Sequence, residues 1–219
     1  MKITGITAQT HNPDRINIMM DGTYKLSLTI RQVVEHGLKI GMELDDAAID
    51  TLTQDSLFGK IYMQAFAWSL MRPRATHELD DYLYKKTRPH LVKRRSGEVV
   101  NRDGIAVEIA NRVRDELIAK GYVSDESFAR FWIEHRKQKS GLSLRKLRAE
   151  LAAKRIDTSI VNTLLEESDR SESTELQKVI ARKYGRYSDP MKLKQYLARQ
   201  GFSYQDIAEG ISEYEESIR

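Results

Sequence analysis

The side chains best equipped for chemistry in this sequence are cationic, and they concentrate in two segments. Residues 130–155 hold nine lysines and arginines against two acids, Glu134 and Glu150. Residues 85–102 hold seven against Glu98 alone. Lys and Arg side chains bind phosphate groups and acidic surfaces through their charge. The pattern predicts a polyanion-binding surface, although a solvated helix face would explain either cluster alone equally well.

Nine of these cations are the candidate contact residues, and they are selected by charge alone. They are Arg136, Lys137, Lys139, Arg145, Lys146 and Arg148 in the C-terminal cluster, and Lys93, Arg94 and Arg95 in the other. Their expected role is electrostatic docking, because contacts to a phosphate backbone position a protein without reading base sequence.

Catalytic and metal-binding patterns are missing from the sequence. The histidines show no HExxH or other ligand spacing, and there is no Walker loop, GxGxxG or GxSxG. The adjacent carboxylates Asp80-Asp81 and Glu166-Glu167 would point about 100° apart on a helix, which suits a solvated face better than a shared metal. We therefore predict that the protein is not an enzyme and binds no cofactor or metal.

The composition and the apolar segments of the chain indicate its class and its compartment. The 219 residues are 40% hydrophobic and 31% charged, a balance typical of soluble helical proteins, with a formal charge of +4. Cysteine is absent, which excludes disulfides and fits a reducing compartment. The N-terminus lacks an apolar signal core, and no run approaches the roughly 20 apolar residues of a membrane span. These features predict a cytoplasmic protein without membrane contact.

Three stretches share one apolar register, which predicts tandem repeats. Each has two leucines four residues apart on a charged background: Leu79 and Leu83, Leu147 and Leu151, Leu193 and Leu197. Such a pair is the buried stripe of a short helix, and one such helix buries too little surface to stand alone. Any amphipathic helix can contain such leucines, but the register shared with flanking elements favours stacked units.

The first 55 residues predict a small β-rich head. Apolar residues alternate with polar ones from Ile3 to Leu28, and Asp21-Gly22 is suited to a type I′ hairpin turn. A short helix is expected over Thr29–His36, stopped by Gly37. Leu38–Leu44 has an extended pattern.

Helices are expected in the rest of the chain. Asp45 or Asp46 would cap a helix to about Gln54, and Leu57–Met71 predicts a second, separate helix, ended at Pro73. The buried side of that second helix would be Leu57, Ile61, Ala65, Trp68 and Leu70. Later helices are predicted over 75–86, 105–120, 144–155, 158–167, 171–184, 191–200 and 204–217, with caps at Ser143, Asp157, Asp189 and Ser203. A further helix, capped by Asp125 or Ser124, is predicted to run to about Lys137.

The fold class is therefore mainly α: an elongated tandem array of three three-helix, helix-turn-helix-like repeats behind a small β-rich N-terminal head. The expected domains are residues 1–55 for the head and 56–121, 122–168 and 169–219 for the repeats. The first repeat carries a basic insertion at 88–104. Its apolar pairs Leu91-Val92 and Val99-Val100 favour a hairpin arm that reaches a polyanion, with a mobile arm as the alternative.

Aromatic residues lie at helix-core spacing. Trp68, Trp132, Phe202 and Tyr204 are expected to pack rather than to stack on bases. The buried face of the helix that follows Ser124 is expected to be Phe128, Phe131 or Trp132, and His135.

Three motifs in order resemble the RecX family, bacterial modulators of the recombinase RecA. They are GYVSDESFA at 121–129, LRAELAAKRI at 147–156 and YLARQGFSY at 196–204. The head, with Ile3-Thr4-Gly5-Ile6 and Asp21-Gly22-Thr23-Tyr24, resembles the N-terminal extension of longer members. The insertion at 88–104 departs from the family, in which the second helix usually leads quickly to the third.

The resemblance implies a regulator rather than a catalyst. Such proteins bind RecA–DNA filaments, lie along the filament groove, and lower the ATPase and strand-exchange activities of RecA. The nine cations would then dock onto DNA, single- or double-stranded, or onto an acidic filament surface, with the protein acting as a monomer. The alternatives are a helix-turn-helix transcriptional regulator with Leu144–Arg155 as recognition helix, and a scaffold that binds only protein.

Overall fold

The computed structural model describes residues 1–10, 12–93 and 96–219. By its internal contacts the chain divides into two compact units. The first unit comprises Met1–Arg72 with Leu79–Tyr122, and the second comprises Pro73–Glu78 with Val123–Arg219. The described part is mainly helical with a small antiparallel sheet near its N-terminus, which confirms the predicted fold class. The finer division into a head and three repeats stays a prediction.

A three-stranded sheet opens the first unit. Its strands β1 (Ile3–Ala8), β2 (Arg15–Met20) and β3 (Thr23–Thr29) pair antiparallel in that order. Asp21 and Gly22 join β2 to β3 with φ values of 48° and 78°, as a type I′ turn requires. The predicted hairpin is confirmed. One face of the sheet buries the apolar residues Ile3, Ile18, Met20, Leu26 and Leu28.

The short helix α1 (Ile30–Glu35) begins and ends as predicted. Thr29 and Gln32 form a reciprocal capping box at its start, and Gly37 follows its end with φ 59°. The prediction of an extended segment over Leu38–Leu44 is wrong. A turn with Gly41 at φ 91° interrupts that segment, which makes a single bridge, between Lys2 and Glu43.

One continuous helix, α2 (Asp46–Leu70), replaces the two predicted helices. No proline or glycine lies between Gln54 and Leu57, so nothing ends the backbone ladder there. The carboxylate of Asp55 instead binds Arg112 Nη1 at 2.7 Å and His36 Nε2 at 2.8 Å. Leu70 was expected on the buried side but is 62% exposed.

The remaining elements of the first unit follow α2. Helix α3 spans Thr76–Thr87, with its first turn in the second unit, and α4 spans Val107–Ala119, starting two residues later than predicted. Between them β4 (His90–Lys93) and β5 (Val99–Arg102) form an antiparallel hairpin. The hairpin prediction for the insertion is confirmed.

The second unit contains two sets of three helices. They are α5 (Asp125–His135), α6 (Leu144–Ala153) and α7 (Thr158–Glu166), then α8 (Glu172–Lys183), α9 (Pro190–Arg199) and α10 (Tyr204–Ser217). Side-chain caps at Ser143, Asp157, Asp189 and Ser203 confirm the predicted starts. The six register leucines are at most 3% exposed, which confirms the buried stripe of α3, α6 and α9.

The aromatic side chains mostly pack, as predicted. Trp68 stacks on Tyr82 at 4.7 Å between ring centroids, and Phe202 is 4% exposed. Tyr204 is an exception at 75% exposed. On α5 the prediction of a buried His135 is also wrong, because Ile133 takes that place in the core and His135 faces solvent.

Within the second unit, one kind of hydrogen bond recurs at the first residues of α3 and α6. The first acid of α5, Asp125, accepts the backbone N–H of Thr76, the first residue of α3, at 2.7 Å. The first acid of α8, Glu172, accepts the backbone N–H of Leu144, the first residue of α6, at 2.9 Å. A helix N-terminus leaves such N–H groups without intrahelical partners. Each joint therefore caps a middle helix with an acid from the following set.

A second contact recurs between the middle helices at equivalent positions of the leucine register. Lys154 Nζ at the end of α6 lies 3.6 Å from Glu78 Oε1 at the start of α3. Gln200 Oε1 at the end of α9 accepts a hydrogen bond from Lys146 Nζ at the start of α6, at 2.8 Å. Residues after the second leucine of α6 and α9 thus contact the starts of α3 and α6, respectively.

A buried carboxylate anchors the joint between α6 and α8. Glu175 is fully buried, and its Oε2 accepts the backbone N–H of Leu142 at 2.8 Å. Lys178 Nζ binds its other oxygen at 2.7 Å, and Arg170 Nη1 lies 3.8 Å away. At Gly141 (φ 74°) an added Cβ would lie 2.4 Å from the carbonyl oxygen of Glu175, so this approach requires glycine.

Candidate nucleic-acid or filament interface

Helix α6 presents two candidate cations to solvent. Leu147 and Leu151 face the core, and the 3.6-residue period then places Arg145 on the far side of the helix and Arg148 on its flank. Both arginines are exposed, and Arg148 Nε makes one hydrogen bond, to Asn162 Oδ1 at 3.3 Å. Neither forms an ion pair within the part of the chain that the structure describes. Their charges are available to an external anion.

The loop before α6 presents Lys137 and Lys139. Lys137 adopts a left-handed backbone with φ 50°, and its carbonyl accepts the N–H groups of Ser140 and Gly141 at 3.0 Å each. These bonds fold residues 137–141 into a tight turn. Both lysine side chains are exposed and neither forms a salt bridge among the described residues, while the charge of Lys137 contributes to the lowered pKa of Glu150. The loop thus adds two accessible cations directly before the arginines of α6.

Arg136 differs from its neighbours because its charge is already compensated. Its Nε and Nη2 bind the carboxylate of Glu150 at 2.8 and 3.1 Å, and its guanidinium lies 5.1 Å from the ring centre of Trp132. Trp132 Nε1 donates to Glu150 as well, at 3.0 Å. The hydrogen bond from Arg136 holds the pKa of Glu150 below its usual value. These contacts hold α5 against α6. The charge of Arg136 is used within the protein, so Arg136 is less suited than its neighbours to bind an external anion.

Lys146 is also engaged, through the contact with Gln200 described above. Lys93 is exposed at the end of β4 and belongs to the first unit, whereas the other described candidates belong to the second. Arg94 and Arg95 lie outside the described residues. The structure therefore groups Lys137, Lys139, Arg145 and Arg148 as one accessible set.

Equivalent positions in the other middle helices carry different charges. The position of Arg148 is Asp80 in α3 and Lys194 in α9. Asp80 binds Arg114 Nε at 2.6 Å, so it takes part in an ion pair within the first unit. The charge at this position therefore differs between the helices. Helix α6 carries Arg145, Lys146 and Arg148 against Glu150, and α9 carries Lys192, Lys194 and Arg199 without an acid. Arg155 is one further exposed cation, with φ 58°, directly after α6, and the selection by charge left it out.

The described residues contain no group of three His, Asp or Glu side chains arranged to hold a metal ion. Within the same residues, no helix combines the length and apolarity needed to cross a membrane. The chemistry offered by the site is electrostatic, with donors for phosphate or carboxylate oxygens.

Comparison with known proteins gives a consistent result across the chain. The domain described as "Regulatory protein RecX N-terminal domain" matches residues 1–45, and "RecX, second three-helix domain" matches residues 124–165. The regulatory protein RecX of Bacillus pumilus is 30% identical over 220 residues, covering 96% of this chain and 76% of that protein. The regulatory protein RecX of Bacillus subtilis is 28% identical over 223 residues, covering 97% and 77%.

Two solved structures share the fold. A crystal structure of regulatory protein RecX superposes with a TM-score of 0.71 at 20% identity, covering 97% of this chain and 98% of that one. The crystal structure of RecX from Lactobacillus salivarius gives a TM-score of 0.53 at 21% identity, covering 71% and 95%. With the matched domains and the relatives in sequence, these results identify the chain as a member of the RecX family, a regulatory protein rather than an enzyme.

Proposed function

We propose that this protein modulates RecA by binding RecA–DNA filaments. It lies in the filament groove and lowers the ATPase and strand-exchange activities of RecA, in control of recombination and DNA repair. The observation that supports this most directly is the accessible set Lys137, Lys139, Arg145 and Arg148, four exposed cations that form no salt bridge within the described part of a RecX-family chain.

The physical argument is electrostatic. Cations that meet phosphates release condensed counterions, which makes binding favourable at low salt and weaker as salt rises. Such contacts position a protein on nucleic acid but do not select a sequence. Arg145 and Arg148 share their exposed face of α6 with Ala149 and Ala152, whose methyl groups let a strand approach the guanidinium groups closely.

The test is the DNA-dependent ATP hydrolysis of RecA in the presence of substoichiometric amounts of this protein. We expect the hydrolysis rate to fall, and we expect the fall to be largely lost when the four cations are replaced together by alanine. Full RecA activity at equimolar protein would overturn the proposal. If the quadruple variant inhibits RecA as strongly as the parent, the protein is still a RecA modulator, but the accessible set is not its binding site.

Competition between duplexes separates this function from that of a transcriptional regulator. A regulator that reads bases through α6 would prefer one duplex at fixed salt, because direct readout of each base pair is worth about 1–3 kcal/mol. We expect random-sequence competitors of equal length to displace a labelled duplex equally well.

A further inference from the structure

A groove in the first unit is lined by a buried arginine, Arg15, which forms no ion pair with the described residues. The groove has a volume of about 790 Å³ and runs between β3 and one side of α2. The α2 residues that face it recur at helical spacing, among them Ser56, Lys60 and Gln64. The residues of β3 that face it are consecutive, from Tyr24 to Ser27. None of these belongs to the accessible set of the second unit.

Arg15 forms part of the groove wall, and it is only 7% exposed. Its Nε donates to Ser27 Oγ at 3.2 Å, while its Nη2 donates to Ser27 Oγ at 2.8 Å and contacts the carbonyl oxygens of Ser27 and Ser56. Its Nη1 is buried and has no hydrogen-bond partner. No carboxylate pairs with Arg15 within the described residues. A buried guanidinium held only by neutral oxygens carries an uncompensated charge, which is costly unless an anion joins it.

Further cations surround the same groove. Lys25 and Lys60 contribute to its lining, against one acid, Asp14. Desolvation and the nearby charges of Arg102, Arg15 and Lys86 lower the pKa of Lys60. A lysine with a pKa lowered by like charges is stabilised in its charged form when an anion binds beside it. The groove therefore offers an exposed donor, Lys60, and a positive electrostatic potential for an anionic ligand.

Tyr24 gives the groove an aromatic surface. Its side chain is 57% exposed although it is large and apolar over most of its area. A phosphate alone would fill only a small part of the groove, whereas a nucleotide strand would use the remaining space. Single-stranded nucleic acids are bound by cations that track the backbone and by aromatic rings on which bases stack. Bases in a duplex are already stacked and do not reach such a ring.

We propose that this groove binds single-stranded nucleic acid, with one backbone phosphate against Arg15 and Lys60 and the neighbouring base on the ring of Tyr24. The site is separate from the accessible set on the second repeat. Binding here does not depend on the filament-binding function proposed above.

The experiment measures binding of a fluorescent oligothymidylate by anisotropy at low salt. It uses the full chain with Lys137, Lys139, Arg145 and Arg148 replaced by alanine, so that the groove is isolated from the second repeat. In this background Lys60→Glu is expected to weaken binding about tenfold or more, equivalent to about 1.4 kcal/mol. Lys39→Glu is the matched control, because Lys39 is exposed in the same unit, lies outside the groove lining and gives the same change in net charge.

Equal affinities for the Lys60→Glu and Lys39→Glu proteins would overturn the site. Tyr24→Ala should weaken oligothymidylate binding and Tyr24→Phe should preserve it, because phenylalanine keeps the stacking surface. If both changes have the same effect, the base does not rest on Tyr24. Inorganic phosphate serves as the second probe. Displacement of the oligonucleotide by low millimolar phosphate would identify a free-phosphate site and overturn the nucleic-acid assignment.

The result also separates this inference from the proposed function. If Lys60→Glu loses oligothymidylate binding but inhibits RecA as the parent does, the groove is a nucleic-acid site that RecA inhibition does not require. Loss of RecA inhibition in the quadruple variant with intact oligothymidylate binding would support both sites as independent.

Discussion

Glu175 Oε2 accepts the backbone N–H of Leu142 at 2.8 Å, and both residues are buried. Leu142 belongs to the loop before α6 and Glu175 to the first turn of α8, so this bond joins one three-helix set to the next. The charge of Glu175 is compensated by Lys178 and by the nearly buried Arg170. The orientation of the second and third sets therefore depends on a buried ionic group.

Replacement of Glu175 by alanine should destabilise the protein strongly. It leaves the Leu142 N–H unsatisfied and Arg170 buried without a counter-ion, and removal of one member of a buried pair costs about 3–5 kcal/mol. Glu175→Gln should lie between alanine and the parent, since its amide oxygen still accepts the Leu142 bond. Urea unfolding measures the change, with the exposed Glu216→Ala as control. An alanine variant as stable as the control would contradict this role.

Glu172 should make stability depend on pH in an unusual direction. Burial raises the pKa of Glu172 above its ordinary value of 4.5, and the nearby Asp206 raises it further. The folded state then holds the proton more tightly than the unfolded state, so the contribution of this group falls as pH rises through the raised pKa. Relative to Glu172→Gln, the parent should lose stability as pH increases from about 4.5.

Chemical denaturation of both proteins across this pH range measures the difference. Glutamine is the informative control because it keeps an oxygen for the Leu144 N–H while removing the charge. Glu172→Ala loses the bond as well, and it should be about 1 kcal/mol less stable than Glu172→Gln at every pH, as loss of a helix cap predicts. Parallel stability curves for the parent and Glu172→Gln would show that Glu172 is not desolvated.

Leu151→Ala tests the buried register of the middle helices. Leu151 is 0% exposed in the core of the second unit, beside Leu147 and Phe128. The cavity left by alanine should reduce the free energy of unfolding by about 2–5 kcal/mol. Met191→Ala, at a 63% exposed position on α9, should change it little. A thermal melt of Leu151→Ala that overlays the parent would contradict the packing.

The accessible set can be tested in matched pairs. Arg145→Ala with Arg148→Ala, and separately Lys137→Ala with Lys139→Ala, should weaken duplex binding and flatten its salt dependence. Each lost phosphate contact should reduce the slope of log affinity against log salt by about 0.9. Lys2→Ala with Lys39→Ala removes the same charge from exposed positions of the head. If this control lowers the affinity and the salt slope as much as the two test pairs do, binding depends only on net charge and the accessible set is not a specific site.

The sequence predicted most elements because local signals agreed with packing. Alternation, the Asp21-Gly22 turn and side-chain caps such as Ser143 and Asp157 each act within a few residues. The errors arose where tertiary contacts decided the outcome. Asp55 lies where the sequence predicted a break between two helices, but in the structure it is a helix-interior residue that binds Arg112 and His36. No pattern along the chain reveals those partners.

Charge alone could locate the cationic segment but could not sort its members. Arg136 and Arg145 are indistinguishable as letters, yet one is bound by Glu150 and the other is exposed without a carboxylate partner in the described chain. Arg15 is a functional candidate that charge patterns in the sequence could not identify. A single arginine in a strand has no charge run around it, and its importance depends on Ser27 and Ser56, which approach it only in the fold.

Pro190 occupies the place in α9 that Thr76 and Leu144 occupy in α3 and α6. In those two helices an acid from the next set receives the N–H of this residue. Proline has no such hydrogen, and its ring favours the first position of a helix. Asp189 of the same segment accepts the following N–H, that of Met191, at 2.8 Å. The start of α9 therefore needs no acid from another helix, because Pro190 has no N–H and Asp189 caps the next residue. Substitution of Pro190 by alanine would add an N–H that has no acceptor from a following helix.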